Sequence, residues 1–291
     1  MNQRLKDAAE QGDLDSFYAL IGEDPYLLKN MEEIPFSDTP LHIAASVGNT
    51  RFALEIMRLM PSFSRKPNRD GYCPLHLALQ NKHTQMTLRF VQVDPSLVRV
   101  KGREGLTPLH WAAGEGCVDI LTQFLSACPE SLEDLTVQSE TALHVALKNG
   151  KVEAFKILVG WLQLGFHVQG EVLDMKEKVL NWKDDEGNTL LHIAASSGQL
   201  EVMKLLIEHE VDTKAQNFAG STSLQILQSQ MPLSNNQEIT IDVLHSVGAS
   251  KSTLMLPPSI ITIVKNHLIS KEISLFEQLL SFIKEKIQEK P

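Results

Sequence analysis

The stretch Thr107-Pro108-Leu109-His110-Trp111-Ala112-Ala113 lies near the middle of the 291-residue chain and shows its organising pattern most clearly. Four further segments share its form, a Leu-His pair with Thr or Cys two residues before the Leu: Thr39-Pro40-Leu41-His42, Cys73-Pro74-Leu75-His76, Thr141-Ala142-Leu143-His144 and Thr189-Leu190-Leu191-His192. The first four histidines are 34 residues apart, and 48 residues separate the last two. A degenerate copy, Thr222-Ser223-Leu224-Gln225, follows. Similarity at a fixed period of this length predicts an array of stacked structural repeats.

The residues around each copy predict a pair of helices. Thr favours a helix start, Pro fits the first helical turn, and Leu fills the core. Small residues after the His, such as Ala112-Ala113, allow helices to approach closely, and a glycine such as Gly116 then ends the helix. An apolar stripe at helical spacing follows, as in residues 52–59, and predicts the second helix. Residues 1–35 contain the helix pair without the tetrapeptide, which is typical of a capping unit.

The period and the Thr-Pro-Leu-His-x-Ala signature resemble the ankyrin repeat. The resemblance implies an all-α fold, an ankyrin-repeat solenoid of stacked helix-turn-helix units with short β-turn connections. We expect the solenoid over residues 1–230, with an insertion at 160–185. Its units are expected to start near residues 1, 36, 70, 104, 138, 186 and 219. Residues 231–291 are expected to form a linker, a capping helix and a C-terminal amphipathic helix. Three roles are open for the amphipathic helix: packing on the end of the solenoid, self-association, or lying on a partner or membrane surface.

Two departures from the ankyrin consensus narrow the resemblance. A proline follows the expected second helix at Pro25, Pro61, Pro95 and Pro129, and an excess of 14 residues separates His144 from His192. These features resemble the plant ankyrin proteins that often end in a Pro-Gly-Gly (PGG) membrane domain, a family linked to defence and stress signalling. The resemblance covers residues 1–230, and no Pro-Gly-Gly signature follows. We therefore expect a truncated, soluble relative, located in the cytoplasm or at the cytoplasmic face of the plasma membrane.

Composition argues against several other classes of protein. The formal net charge of −9 disfavours binding to nucleic acid, which requires clustered Lys and Arg. Three cysteines, Cys73, Cys117 and Cys128, are an odd number without framework spacing, which is typical of free thiols in a reducing compartment. The first residues lack the apolar segment of a secretory signal. The expected partners are other proteins, with no nucleic acid and no small-molecule substrate. Membrane contact is expected only through the C-terminal segment or a membrane-bound partner.

No constellation of residues in the sequence predicts catalysis. Five histidines occupy the same slot in successive repeats, which is typical of a packed structural residue: His42, His76, His110, His144 and His192. Cys73 and His76 have the spacing of two zinc ligands, but no second pair has such spacing. The run Asp184-Asp185-Glu186 is expected to be solvated at a turn rather than to bind a metal. We therefore expect no enzyme activity, no cofactor and no metal site.

The expected binding surface is the concave face of the solenoid, which turn tips and first helices line. The candidate partner-binding residues lie at the expected tips: Arg69, Asp70, Tyr72, Arg103, Glu104, Gln138, Glu140, Asp185, Glu186 and Asn188. Trp111 is interpreted either as a core residue or as a binding contact. The leading hypothesis is a scaffold or adaptor in intracellular signalling, most concretely in plant defence or stress signalling. The alternatives are a regulatory subunit or inhibitor of an enzyme, and a peripheral membrane-associated signalling protein.

Overall fold

The structure is a computed structural model that describes residues 2–164 and 172–229. The linker, capping helix and amphipathic helix expected in residues 231–291 lie outside the described residues, as does part of the expected insertion. Within the described ranges the chain is helical and forms no β-sheet, with one isolated bridge between Gln216 and Thr222. No helix of these ranges is long and apolar enough to cross a membrane.

The helices follow one another in pairs and stack along the chain. In chain order they are α1 (Gln3–Gln11), α2 (Leu14–Glu23), α3 (Leu27–Glu33), α4 (Pro40–Val47), α5 (Thr50–Leu59), α6 (Pro74–Gln80), α7 (Thr84–Val93), α8 (Pro108–Glu115), α9 (Val118–Ala127), α10 (Ala142–Lys148), α11 (Val152–Leu164), α12 (Val172–Leu180), α13 (Leu190–Ser196), α14 (Leu200–Glu208) and α15 (Ser223–Ser229). The first helices of the pairs, α1, α4, α6, α8, α10, α13 and α15, each contact the next one along the chain. This architecture confirms the expected all-α solenoid.

The recurring tetrapeptide begins each first helix. Thr39 and Thr107 have extended backbones immediately before α4 and α8, and a proline then occupies the first helical turn. Proline is suited to this position because the first turn of a helix has no partner for its N–H groups. Gly48 and Gly116 end the same helices in the left-handed conformation, at φ 87° and 78°. Start and stop signals that enclose only eight residues therefore keep these helices short.

The core runs continuously along the stack. The Leu of each tetrapeptide is almost completely buried, and the alanines after the His are equally buried where helices approach one another. Five of the second helices, α2, α5, α7, α9 and α11, contribute one fully buried phenylalanine each: Phe17, Phe52, Phe90, Phe124 and Phe155. The rings of Phe17 and Phe52 meet edge to face, with centroids 5.2 Å apart. Each unit thus buries its apolar surface against its neighbours, as expected for a repeat protein.

The prolines after the second helices begin a short additional element. Pro61, Pro95 and Pro129 each start a five-residue 3-10 helix, whereas α3 follows Pro25. Ion pairs connect successive turns, with Arg65 2.6 Å from Asp94 and Arg99 2.7 Å from Asp134. The two arginines are partly exposed, so each pair contributes at most about 1 kcal/mol. These turns lie after the second helices and leave the tips of the units free.

Candidate protein-binding surface

Tight turns precede first helices of the stack, and in three of these turns one polar side chain accepts two backbone hydrogen bonds. Asn68 Oδ1 accepts hydrogen bonds from the backbone N–H groups of Asp70 and Tyr72, at 3.1 and 2.9 Å. Asp184 and Asn217 form the same pair of bonds within their own turns. Asn and Asp favour such turns because the short side chain reaches the backbone two residues ahead. The two residues at the tip are therefore held in place while their side chains point away from the core.

The turns form one continuous surface, which we name the tip row and define as residues 69–70, 103–104, 137–138, 185–186 and 218–219. Three backbone hydrogen bonds connect neighbouring turns: Val137 N–H to Glu104 O at 2.9 Å, Asp185 N–H to Gln138 O at 3.0 Å, and Phe218 N–H to Glu186 O at 3.0 Å. Gly71 lies against Arg103, so that a Cβ at Gly71 would stand 3.3 Å from the Arg103 Cα. Neighbouring tips therefore have fixed relative positions.

The repeated histidine of one unit binds the turn of the next. The Nε2 atoms of His76 and His110 lie 3.0 Å from Leu106 O and 3.1 Å from Glu140 O. On the other side of the ring, the Thr107 N–H group points to the His110 Nδ1 at 3.3 Å. Because Nδ1 accepts that hydrogen bond, it carries no proton, and Nε2–H donates to the carbonyl of the next unit. These hydrogen bonds join adjacent units and explain why the histidines were predicted to be structural residues.

Burial keeps the histidines neutral. It lowers the pKa of His42, His76, His110 and His144 to about 4, and it also lowers the pKa of His192. Bonds from Nε2 to backbone carbonyls oppose this shift at several of them, but the loss of hydration is the larger effect. At neutral pH the rings of His42, His110 and His192 therefore accept a hydrogen bond at Nδ1 within their own unit and donate from Nε2 to the next unit. The Nε2 of His144 is buried without a partner among the described residues.

The third unit, which starts near residue 70, departs from this arrangement because Cys73 occupies the position of the usual Thr. In four other units a Thr Oγ1 lies 2.8 Å from the His Nδ1. His76 Nδ1 is buried and has no partner among the described residues, while Cys73 Sγ points to Arg65 O at 3.3 Å. A buried acceptor without a donor destabilises the folded chain.

We predict that Cys73→Thr raises the free energy of unfolding by about 1 kcal/mol, because the new hydroxyl donates to the orphaned His76 Nδ1. Urea unfolding followed by circular dichroism measures the change. Cys73→Val is the matched control, since it has the shape of Thr without the hydroxyl. An equal gain in the Val variant would show that branching at Cβ, rather than the hydrogen bond, is responsible.

The structure places most of the predicted partner-binding residues together on the tip row. Seven of them are exposed: Arg69, Asp70, Arg103, Glu104, Gln138, Asp185 and Glu186. Tyr72 and Asn188 are half-buried at the base of their turns. Glu140 differs from the expectation, because it is buried with 7% of its surface exposed.

A charge cluster beneath the tips explains the burial of Glu140 and corrects the expectation for Asp184. Lys148 Nζ, at the end of α10, lies 2.5 Å from Glu140 Oε1 and 3.1 Å from Asp184 Oδ2. The Asp184 side chain is fully buried instead of being solvated with the other two acidic residues. Glu140 and Asp184 therefore connect the turns that precede α10 and α13, and neither is available to a partner.

Trp111 combines features of the two roles that the sequence leaves open, a core residue and a binding contact. Its side chain packs against the core but remains half-buried, on the surface of α8. Its ring meets that of Tyr72 edge to face, with centroids 6.4 Å apart. This pair forms an aromatic surface beside the N-terminal tips, where an aromatic side chain of a partner would find a complementary face.

Phe218 is an exposed tip residue that does not belong to the predicted contacts. It is 76% exposed and occupies the same place in its turn as Arg69 and Arg103 do in theirs. Alignment of the degenerate copy at Thr222 with the other turns would have identified it. Phe218 lies against Gly187, where a Cβ would stand 2.7 Å from the Phe218 Cδ1, so its ring borders the neighbouring tip.

The metal-ligating and thiol side chains of the described ranges do not form a cluster. No group of three or more His, Cys, Asp and Glu residues there is placed to hold a metal ion. Cys73 and Cys128 are buried thiols, and burial raises their pKa to about 12 and about 11. Such thiols remain protonated at neutral pH and are poor nucleophiles.

Comparison with known proteins agrees with this geometry. Models of ankyrin repeats in three copies match residues 5–97 and 85–169, and a model of ankyrin repeats in many copies matches residues 180–227. The chain belongs to the ankyrin-repeat family. It is 48% identical over 231 residues to Ankyrin repeat-containing protein BDA1 of Arabidopsis thaliana. That match covers 79% of this chain and 53% of the relative, so the chain spans about half the length of the curated relative it matches.

Two solved structures show the same ankyrin fold. The ankyrin repeat protein EF0377 is 18% identical with a TM-score of 0.56, over 70% of this chain and 96% of that one. An ankyrin repeat domain from Acinetobacter baumannii AYE is 19% identical with a TM-score of 0.57, over 72% of this chain and 98% of that one. At these identities the likeness concerns the fold alone. The repeats themselves identify a protein-interaction scaffold, a module that is typically non-enzymatic.

Proposed function

We propose that this ankyrin-repeat protein is a scaffold or adaptor in intracellular signalling, which binds partner proteins through the tip row and the adjoining surface of the first helices. The observation that carries the proposal is the construction of the tip row. Backbone hydrogen bonds and buried histidines hold its turns, while the side chains at the tips are exposed. Such a surface is ordered before the partner arrives, so that binding costs little conformational entropy.

The exposed side chains also suit recognition of proteins. The N-terminal tips each present one cation and one anion, Arg69 with Asp70 and Arg103 with Glu104. The aromatic pair of Tyr72 and Trp111 lies beside them. Aromatic anchors with charged residues at the rim are typical of protein interfaces, in which the anchors supply affinity and the charges supply specificity.

We extend the proposal to plant defence or stress signalling, with action in the cytoplasm or at the cytoplasmic face of the plasma membrane. Two observations support this choice: the relative from Arabidopsis thaliana, and the resemblance to the plant proteins with a PGG domain. In this proposal the chain performs no catalysis and takes no cofactor. It acts by bringing partner proteins together.

The proposal predicts that partners captured from a plant-cell lysate are lost when the tips change. The tip variant replaces five exposed residues by Ala: Arg69, Arg103, Glu104, Asp185 and Glu186. The control variant replaces the same number of Arg and acidic residues on the second helices and the segments that follow them: Arg51, Arg89, Asp119, Glu130 and Glu177. We expect capture by the tip variant to fall at least about tenfold, as for the loss of central contacts. The control variant is expected to capture the same partners as the native chain.

Both variants are first compared with the native chain by circular dichroism and thermal unfolding, because only folded variants report on binding. Equal capture by all three chains would place binding outside the tip row and contradict the proposal. An enzyme that is recovered as the main partner, and that loses activity when bound, would instead support an inhibitor of that enzyme.

A further inference from the structure

The chemistry of the tip row changes along the chain. The first two pairs of tip residues combine a cation with an anion. The later tips carry Val137, then Asp185 and Glu186, and then Phe218. We name these four residues the C-terminal patch. The two halves of one surface therefore differ in the partner that they can accept.

The apolar residues of the C-terminal patch are not required by the fold. Val137 and Phe218 are 77% and 76% exposed, and no other large hydrophobic side chain in the described ranges is as exposed. Arg69 and Arg103 occupy the equivalent position of earlier turns, so a polar residue is compatible with the turn geometry. Single exposed apolar residues are common. Val137 and Phe218 belong to the turns on either side of the tip with Asp185 and Glu186, so exposed apolar side chains flank two carboxylates.

Backbone contacts fix the order of the patch. Hydrogen bonds of 3.0 Å join Asp185 N–H to Gln138 O and Phe218 N–H to Glu186 O. The acidic tip is thus bound on one side to the turn of Val137 and on the other to that of Phe218. A partner that crosses this surface meets an apolar side chain, two carboxylates and a second apolar side chain in succession.

The carboxylates of Asp185 and Glu186 have no ion-pair partner in the part of the chain that the structure describes. Among residues 2–164 and 172–229, neither Asp185 nor Glu186 is within ion-pair distance of a Lys or Arg side chain. Lys148 is already shared by Glu140 and Asp184, so that cluster keeps one net negative charge beneath the acidic tip. A cationic partner would be attracted by both sets of charges.

We propose that the C-terminal patch binds a basic segment of a partner protein, in which Lys or Arg side chains lie between two apolar side chains. Its cationic groups pair with Asp185 and Glu186, and its apolar side chains cover Val137 and Phe218. The inference rests on the proposed function, because it names the kind of segment that this part of the tip row accepts. The charged contacts determine the choice of partner and the rate of association, and the buried apolar contacts stabilise the complex.

Selection from a display library of random peptides on the immobilised full chain tests the inference. We expect the enriched peptides to contain Lys or Arg flanked by apolar residues. Their binding is then measured by fluorescence polarisation with a patch variant: Val137→Ser, Asp185→Asn, Glu186→Gln and Phe218→Ser. The expected result is a loss of affinity of at least about tenfold in the patch variant. Affinity for the native chain is also expected to fall as the salt concentration rises from about 0.05 to about 0.5 M.

Two control variants separate the inference from the proposed function. The first, Asp119→Asn with Glu177→Gln, removes the same charge from α9 and α12, and a matching loss of affinity there would overturn the inference. The second, Arg69→Ser with Arg103→Ser, changes the N-terminal tips. Peptides that require these arginines, but not the patch, would overturn the inference and leave the proposed function standing. Enrichment of acidic or uncharged peptides would also overturn it. Failure of the native chain to capture either a peptide or a lysate protein would overturn both.

Discussion

The free energy of unfolding is expected to fall steeply as the pH is lowered from 6.5 to 4. Burial holds the pKa of His42, His76, His110 and His144 at about 4, whereas a histidine in the unfolded chain titrates near 6.5. Between these values the unfolded state binds protons that the folded state excludes. The stabilising contribution is complete above pH 6.5 and is lost as the pH falls toward the folded-state pKa.

The expected size of this effect is large. A shift of this extent corresponds to about 3 kcal/mol for each histidine at pH 4. Four such groups would together reach the total stability of a typical domain, about 5–15 kcal/mol. We therefore expect the chain to unfold above pH 4. Urea unfolding followed by circular dichroism at pH 7.5, 6.5, 5.5 and 4.5 measures the slope.

Replacing histidines by glutamine separates this effect from the titration of carboxylates. Gln225 shows that the exchange is structurally acceptable, because its Oε1 accepts a 2.8 Å hydrogen bond from Thr222 N–H in the position of the histidine. A variant with His110→Gln and His144→Gln is expected to be less stable at pH 7.5 but to lose less stability on acidification. The same slope in the native chain and the variant would mean that other groups control acid unfolding.

Phe124→Ala is expected to lower the free energy of unfolding by about 3–5 kcal/mol. Phe124 is fully buried on α9, in a central unit, between units that contribute Phe90 and Phe155 to the same core. Removal of the ring loses the free energy gained by burying it away from water, and it leaves a cavity in the core. Because each unit depends on its neighbours for burial, the loss in one unit also weakens the two beside it.

Phe218→Ala is the matched control for this prediction. The same side chain is removed, but Phe218 is 76% exposed, and the expected change is within about 0.5 kcal/mol. Chemical unfolding of both variants against the native chain decides the comparison. Similar losses in the two variants would contradict the placement of Phe124 in the core and of Phe218 at a tip.

The sequence wrongly predicted that Glu140 and Asp184 are exposed. Glu140 and Asp184 lie in polar segments of turns, and nothing in their neighbours in sequence indicates that they are buried. Both contact Lys148, which lies at the end of α10. The contact from Lys148 to Asp184, 36 residues away, depends on how successive units stack, which no local pattern specifies.

The sequence by itself determined the positions of the tetrapeptides, the start of the helices that follow them and the repeated position of the histidine. These features depend on contacts between residues at most four apart, such as the bond from Thr107 N–H to His110 Nδ1, and local contacts repeat whenever the local sequence repeats. The bond from His110 Nε2 to Glu140 O, 30 residues away, forms only when the units stack. The tertiary structure alone decided which tip residues remain exposed, and that Val137 and Phe218 border one acidic tip. Those properties arise between units, because exposure and charge pairing depend on the stacking of turns that are distant in sequence.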